Sequence, residues 1–148
     1  MIIRTDSHHE DFIELVNELD KELAIKDGAE HSFYNQFNKI DSLKHVVVFY
    51  QNQEPICCGA FKIIDSNTVE IKRMFTKLDY RSKGFGQTVL NELEIWAAEI
   101  GCKFCILETG KKQPDAIALY KKAGYEIITN YGQYIGITNS VCFKKQVK

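Results

Sequence analysis

Arg81-Ser82-Lys83-Gly84-Phe85-Gly86-Gln87 lies between a strand-like run, residues 68–76, and a strongly amphipathic helical stretch, residues 84–100. Two glycines at a strand-to-helix junction let the backbone curl with its N–H groups pointing one way. The helix adds its own unpaired N–H groups and a partial positive charge. Together these make an anion site suited to phosphate or pyrophosphate, and Arg81 and Lys83 flank it with full positive charge. Spacing excludes two familiar phosphate loops. A P-loop needs a lysine after its last glycine, where this chain has Gln87. A dinucleotide fingerprint needs a third glycine, where it has Val89. What remains is Arg-x-x-Gly-x-Gly opening a helix after a strand. So short a motif also fits a plain strand-to-helix turn, and the rest of the chain has to decide.

Residues 1–4 read as a first strand, and Ser7 to Glu10 has capping-box spacing for a helix. Phe12, Leu15, Val16, Leu19 and Leu23 share one face of that helix, and Gly28 stops it. Residues 30–38 are a shorter helical candidate carrying Phe33, Tyr34 and Phe37. Residues 45–50 and 56–64 form a hairpin around the turn at 51–55, and Asp65-Ser66-Asn67 turns again into the strand at 69–76. Period-two alternation there puts Glu70, Lys72 and Met74 on one face and Val69, Ile71, Arg73 and Phe75 on the other. After the glycine loop, Phe85, Val89, Leu90, Leu93, Trp96, Ala97 and Ile100 make one apolar stripe, ended by Gly101. The strand at 103–108 follows, so this strand–helix–strand unit predicts a parallel pair with a right-handed connection. Gln113 and Pro114 open a further helix that Gly124 closes. A polar, aromatic loop over 129–139 leads to a last strand at 140–144.

Val69 to Phe75 precede the glycine loop; Leu107-Glu108-Thr109-Gly110 and the run from Gln113 to Tyr125 follow it. Within that run Ala116, Leu119, Tyr120, Gly124 and Tyr125 form the pattern Ala-x-x-Leu-Tyr-x-x-x-Gly-Phe/Tyr. In this order and at these separations, the motifs resemble the second half of the cofactor domain of the GNAT superfamily of N-acetyltransferases, which bind acetyl-coenzyme A. The resemblance runs from about residue 46 to the end of the chain and is strongest over residues 70–125. It implies a single α/β domain over residues 1–148, with a mixed central sheet of about six or seven strands flanked by helices on both faces.

The resemblance also implies roles for particular residues. Arg81, Ser82, Lys83, Gly84, Phe85, Gly86 and Gln87 match the pyrophosphate loop. Met74, Phe75 and Thr76 match the stretch where strand four splays from strand five and its backbone pairs with pantetheine, one N–H holding the developing oxyanion. Gln113 stands where many relatives have an asparagine that contacts pantetheine. Glu70 matches a general base acting through water, and Tyr120 the general acid that protonates the departing thiolate. Each also has an ordinary structural reading: Glu70 as a lysine-paired surface carboxylate, Tyr120 as core packing beside Ala116, Ile117 and Ala123. An amine needs such a base, because a lysine-type amine has a pKa of about 10.4 and is mostly protonated at neutral pH.

Composition bounds the alternatives. The chain has 148 residues, 45% hydrophobic and 26% charged, enough for one globular core. A net charge of −1 gives no field favouring nucleic acid or an anionic membrane surface. Without an apolar signal-type start or a membrane-length run, and with five cysteines, reduced thiols in a cytoplasmic protein are expected. Cys57-Cys58 and Cys102-x-x-Cys105 would form a zinc site only if two strands converged; cysteines three apart entering a strand should face opposite ways. No metal is expected. The expected reaction is acetyl transfer from acetyl-CoA to a primary amine of a small molecule or peptide, by direct attack in a ternary complex. The rival is a non-catalytic acyl-CoA binding or regulatory module on the same fold, which needs neither Glu70 nor Tyr120. A homodimer is common in such folds. Acceptor choice there comes from regions corresponding to residues 20–44 and 129–139, where Tyr131 and Tyr134 either close the acceptor pocket or cover the core.

Overall fold

The structure, a computed structural model, describes residues 1–27 and 43–148. The helix expected over 30–38, with Phe33, Tyr34 and Phe37, and the stop at Gly28 lie outside the described residues. Seven strands form one sheet: β1 (Ile2–Thr5), β2 (His45–Gln51), β3 (Glu54–Ile63), β4 (Thr68–Thr76), β5 (Phe104–Gly110), β6 (Glu126–Ile128) and β7 (Ser140–Gln146). Their order across the sheet is β1-β2-β3-β4-β5-β7-β6. Among neighbouring strands of the sheet only β4 and β5 pair in parallel, and the helix between them in sequence supplies the crossover that such a pair needs. Among the described residues there are three α-helices: α1 (Glu10–Asp27), α2 (Phe85–Glu99) and α3 (Pro114–Lys122).

The helices cover both faces. Phe12, Leu15, Val16 and Leu19 of α1 pack with Val46, Val48, Cys58, Ala60 and Phe75 on one side. On the other, Val89, Leu90, Leu93 and Ala97 of α2 and Tyr120 of α3 pack with Val47, Phe61, Val69, Ile71 and Phe143. The stripe expected on α2 therefore holds except at its end, where Ile100 is exposed. The first helix starts later than its expected capping box. Asp6 Oδ1 accepts the His8 N–H in a local turn, and the helix begins only at Glu10, which leaves Glu10 too early to reach back.

Two expectations about side-chain direction fail, each for a local reason. Cys58 lies opposite Phe75 and Ala60 opposite Lys72, so Gly59 faces two residues of β4, Arg73 and Met74. Arg73 takes φ 60°, and this bulge resets the alternation. Met74 turns to the α2 side with Val69 and Ile71, while Phe75 joins the α1 side. Only glycine fits opposite: a Cβ on residue 59 would collide with Met74 Sδ and stand 2.8 Å from Leu93 Cδ1. Cys102 and Cys105, expected on opposite faces, are both buried in the core under α2. Cys102 precedes the strand, and its N–H closes the end of α2 on the Ala97 carbonyl.

All five cysteines are unpaired and buried. Burial raises the Cys57 thiol to about 11 and the Cys105 thiol to about 12. It also raises the buried phenols of Tyr120, Tyr125, Tyr131 and Tyr134. In the unfolded chain thiols titrate near about 8.5 and phenols near about 10. Above those values the unfolded state binds fewer protons than the native one, so stability falls as pH rises. This contribution is fully present below about pH 8.5 and is lost toward the folded pKa values. Urea midpoints measured from pH 7 upward should hold to about pH 8.5 and then drop steadily; a midpoint flat to pH 10.5 would contradict this burial.

Candidate active site

The β4–β5 ladder pairs Thr68 with Phe104, Val69 with Cys105 and Glu70 with Ile106, and then stops. Both strands continue, β4 to Thr76 and β5 to Gly110. The sheet is therefore split between them, and the bulge at Arg73 bends β4 further along the opening. Backbone groups on the facing edges of the split lie outside any ladder between these strands.

A cavity of about 630 Å³ runs from the split to the start of α2. Met74, Phe75, Thr76, Arg81, Ser82, Gly84, Phe85, Gly86, Gln87 and Gln113 line it. Lys83, grouped with them in the sequence, does not; its ammonium lies over the Tyr80 ring, 5.8 Å from the centroid. Ser82 and Gly84 both have positive φ, 62° and 89°, which curls the loop and presents its N–H groups. No side chain caps α2, so its first-turn N–H groups face the cavity unsatisfied by the helix itself. At Gly86, an added Cβ would meet Leu119 Cδ2 at 3.4 Å and Thr76 Oγ1 at 3.6 Å. Arg81 is held in place: Nε donates to the Thr76 carbonyl at 2.8 Å, and Nη1 and Nη2 donate to the two carboxylate oxygens of Glu22 at 2.8 and 2.9 Å. The Thr76 carbonyl, one of the backbone groups expected to meet a ligand, is thus already engaged.

A second, smaller cavity of about 90 Å³ occupies the inner end of the split. It shares Leu19, Met74 and Gln113 with the larger one, so the two are contiguous. Glu70 and Tyr120 both line it, together with Lys72, Arg73, Glu108 and Tyr134. Glu70 is 5% exposed, so it is no surface carboxylate. Tyr131 donates to its Oε2 at 2.6 Å, and Lys72 Nζ stands 3.5 Å from its Oε1. Tyr120 is buried against Tyr125 and Phe143. Burial, with Glu108 and then Cys57 nearby, raises its pKa, so the phenol is neutral at any working pH. The late loop thus has two jobs: Tyr134 lines the cavity and Tyr131 orients Glu70.

Sequence reasoning gave no site role to Arg73, Glu108 or Glu22. Charged residues inside strands, the signal that singled out Glu70, apply equally to Arg73 and Glu108. Glu22 has no such signal; it looks like any polar residue of an amphipathic helix. Among the described residues no group of three or more His, Cys, Asp or Glu side chains is placed to hold a metal ion. No helix among them is long and apolar enough to cross a membrane.

A family model described as the acetyltransferase (GNAT) family matches residues 9–125. The chain belongs to the GNAT acetyltransferase family. An IAA acetyltransferase of Azospirillum brasilense is 29% identical over 124 residues, covering 82% of this chain and 81% of that protein. A crystal structure from Klebsiella pneumoniae, assigned as an acyl-CoA N-acyltransferase, superposes with a TM-score of 0.83 at 25% identity, covering 100% of this chain and 97% of the other. A GNAT family acetyltransferase of Elizabethkingia anophelis, solved with acetyl-CoA bound, superposes with a TM-score of 0.72 at 18% identity, covering 99% and 97%. The two solved structures share the overall fold of this GNAT chain over nearly its whole length.

Proposed function

We propose that this GNAT chain transfers an acetyl group from acetyl-CoA to a primary amine by direct attack in a ternary complex. The observation that carries the reading is the contiguity of the two cavities. One ends at a helix start that no side chain caps, and the other holds a buried carboxylate and a buried phenol. The coenzyme's pyrophosphate would sit on the first-turn N–H groups of α2 and the loop of Ser82 and Gly84. Pantetheine would run along the open edge of β4 past Phe75 and Met74, bringing the thioester to the small cavity. The acetyl-CoA bound in the Elizabethkingia relative supports the choice of coenzyme.

At the thioester the balance is simple. The amine nitrogen attacks the carbonyl carbon, giving up its proton toward Glu70 through water. A β4 backbone N–H facing the split receives the oxyanion. The C–S bond breaks with its electron pair on sulfur, and the thiolate leaves hydrogen-bonded by the Tyr120 hydroxyl, to take up a proton from water afterwards. Products are an N-acetyl amine and coenzyme A. Isothermal titration with acetyl-CoA, followed by free-thiol release with a panel of amines, tests this. Micromolar binding and amine-dependent thiol release are expected, with Glu70→Gln lowering kcat about 10²-fold while leaving coenzyme affinity unchanged. A well-folded protein that does not bind acetyl-CoA would overturn the reading.

A further inference from the structure

Arg73 is a charge that the chemistry above does not use. The residue is 8% exposed and takes the left-handed backbone conformation at the bulge, uncommon for a long side chain. Its Nη1 donates to Asp20 Oδ1 of α1 at 2.6 Å. Its Nε is buried and finds no acceptor among the described residues. That N–H belongs to the side-on edge of the guanidinium, the edge that takes both oxygens of a carboxylate in parallel. Buried donors in native proteins have acceptors, and one left over on a residue that lines a binding cavity calls for an acceptor on the ligand or a water, met by a small turn of the side chain.

The rest of the wall narrows the ligand. The small cavity is lined by two cations, Lys72 and Arg73, and two carboxylates, Glu70 and Glu108. Lys72 already faces Glu70 at 3.5 Å, which makes Arg73 the main contact for an incoming anion. A polycationic acceptor would meet repulsion at Arg73, and a neutral amine would leave its Nε unanswered. A molecule with an ammonium and a carboxylate answers both signs. The size of the cavity, about 90 Å³, fits a small acceptor.

We propose that the acceptor is a small amine that also carries a carboxylate, a molecule of amino-acid type, whose carboxylate lies on the Nε edge of Arg73. This rests on the acetyl-transfer reading. The carboxylate takes no part in the bond changes; it holds the amine toward Glu70 and the thioester.

The test pairs probes that differ only in the carboxylate. L-α-amino acids, β-alanine and γ-aminobutyrate are compared with their carboxamides, reading thiol release from acetyl-CoA. The carboxamides of the α-amino acids have the less basic amines, with more free base at neutral pH, so a preference for the acids there cannot come from amine ionisation. At least one acid should exceed its carboxamide about tenfold in kcat/KM. Arg73→Gln should cut kcat/KM for that acid about 10- to 100-fold, chiefly through KM, with a much smaller loss on its carboxamide, whose carbonyl accepts a hydrogen bond but carries no charge, and with the acetyl-CoA Kd unchanged. Arg73→Lys should recover part of the loss. Because Arg73 also ties β4 to α1, Asp20→Asn is the folding control: it removes that ion pair and should keep the preference for the acid. Carboxamides used as well as acids, equal losses on both in Arg73→Gln, or no amino acid acetylated by a protein that binds acetyl-CoA would each overturn the proposal. Failure to bind acetyl-CoA at all is read separately in the titration and would sink the acetyl-transfer reading itself.

Discussion

Gly86→Glu should raise the Kd for acetyl-CoA by about three orders of magnitude while leaving the protein folded. Residue 86 lies in the first turn of α2 and lines the larger cavity. Its Cβ position is 3.4 Å from Leu119 Cδ2, a close contact that a flexible leucine tip accommodates. The added carboxylate then has the cavity as its space, and it meets the same first-turn N–H groups a pyrophosphate would use. An acidic group there favours the helix, so the fold should survive. For the coenzyme the change is a direct competitor. Two like charges about 4 Å apart near a protein surface repel by about 4 kcal/mol, which is about a thousandfold in affinity. Gly86→Ala separates shape from charge: it adds only the Cβ and should weaken binding less than about tenfold. Isothermal titration on the three proteins, with thermal melts as the fold control, reads this directly. Equal affinity in wild type and Gly86→Glu would place the coenzyme elsewhere, or nowhere, on this chain.

Much of this site is legible in the chain because its parts are local. The glycine loop, the amphipathic stripe of α2 and the Pro114 helix start are written in consecutive residues, and each has one dominant physical cause. Glu70 and Tyr120 lie fifty residues apart, and only the motif order pairs them. The structure brings them to one cavity because β4 and α3 flank the same split. What was not legible depends on other elements. The bulge at Arg73 arises from a mismatch with β3, answered by Gly59, and alternation along β4 alone cannot reveal it. The clamp of Glu22 on Arg81 joins residues 59 positions apart across the α1–loop contact. It leaves no trace in either local pattern. Cys102 departs from the expected alternation for the opposite reason: it precedes β5 and its N–H still closes the end of α2, so strand periodicity does not reach it.

Tyr120→Phe distinguishes an enzyme from a coenzyme-binding module. In the module the hydroxyl has no task. Phenylalanine keeps the ring contacts with Tyr125 and Phe143, so stability and acetyl-CoA affinity should barely move. In the enzyme the hydroxyl meets the sulfur as the C–S bond breaks, an interaction made only in the transition state. Its loss should then lower kcat and kcat/KM together. General acids contribute about 10²- to 10⁴-fold. Burial, first, and Glu108, second, raise the Tyr120 pKa above the ordinary phenol value. The group is thus fully protonated at working pH but a weak acid against a thiolate whose own pKa is near about 8.5. Its service is a hydrogen bond to developing charge more than a completed proton transfer, which puts the expected loss near the lower end, about 10²-fold in kcat. The same pKa fixes a second signature. Because Tyr120 stays protonated, kcat should show no falling limb from its ionisation up to about pH 10, in wild type or variant. A kcat unchanged in Tyr120→Phe would remove the hydroxyl from the chemistry. Thiol release lost entirely, with coenzyme affinity intact, would instead mean that Tyr120 completes the proton transfer and that the coenzyme lowers its pKa on binding.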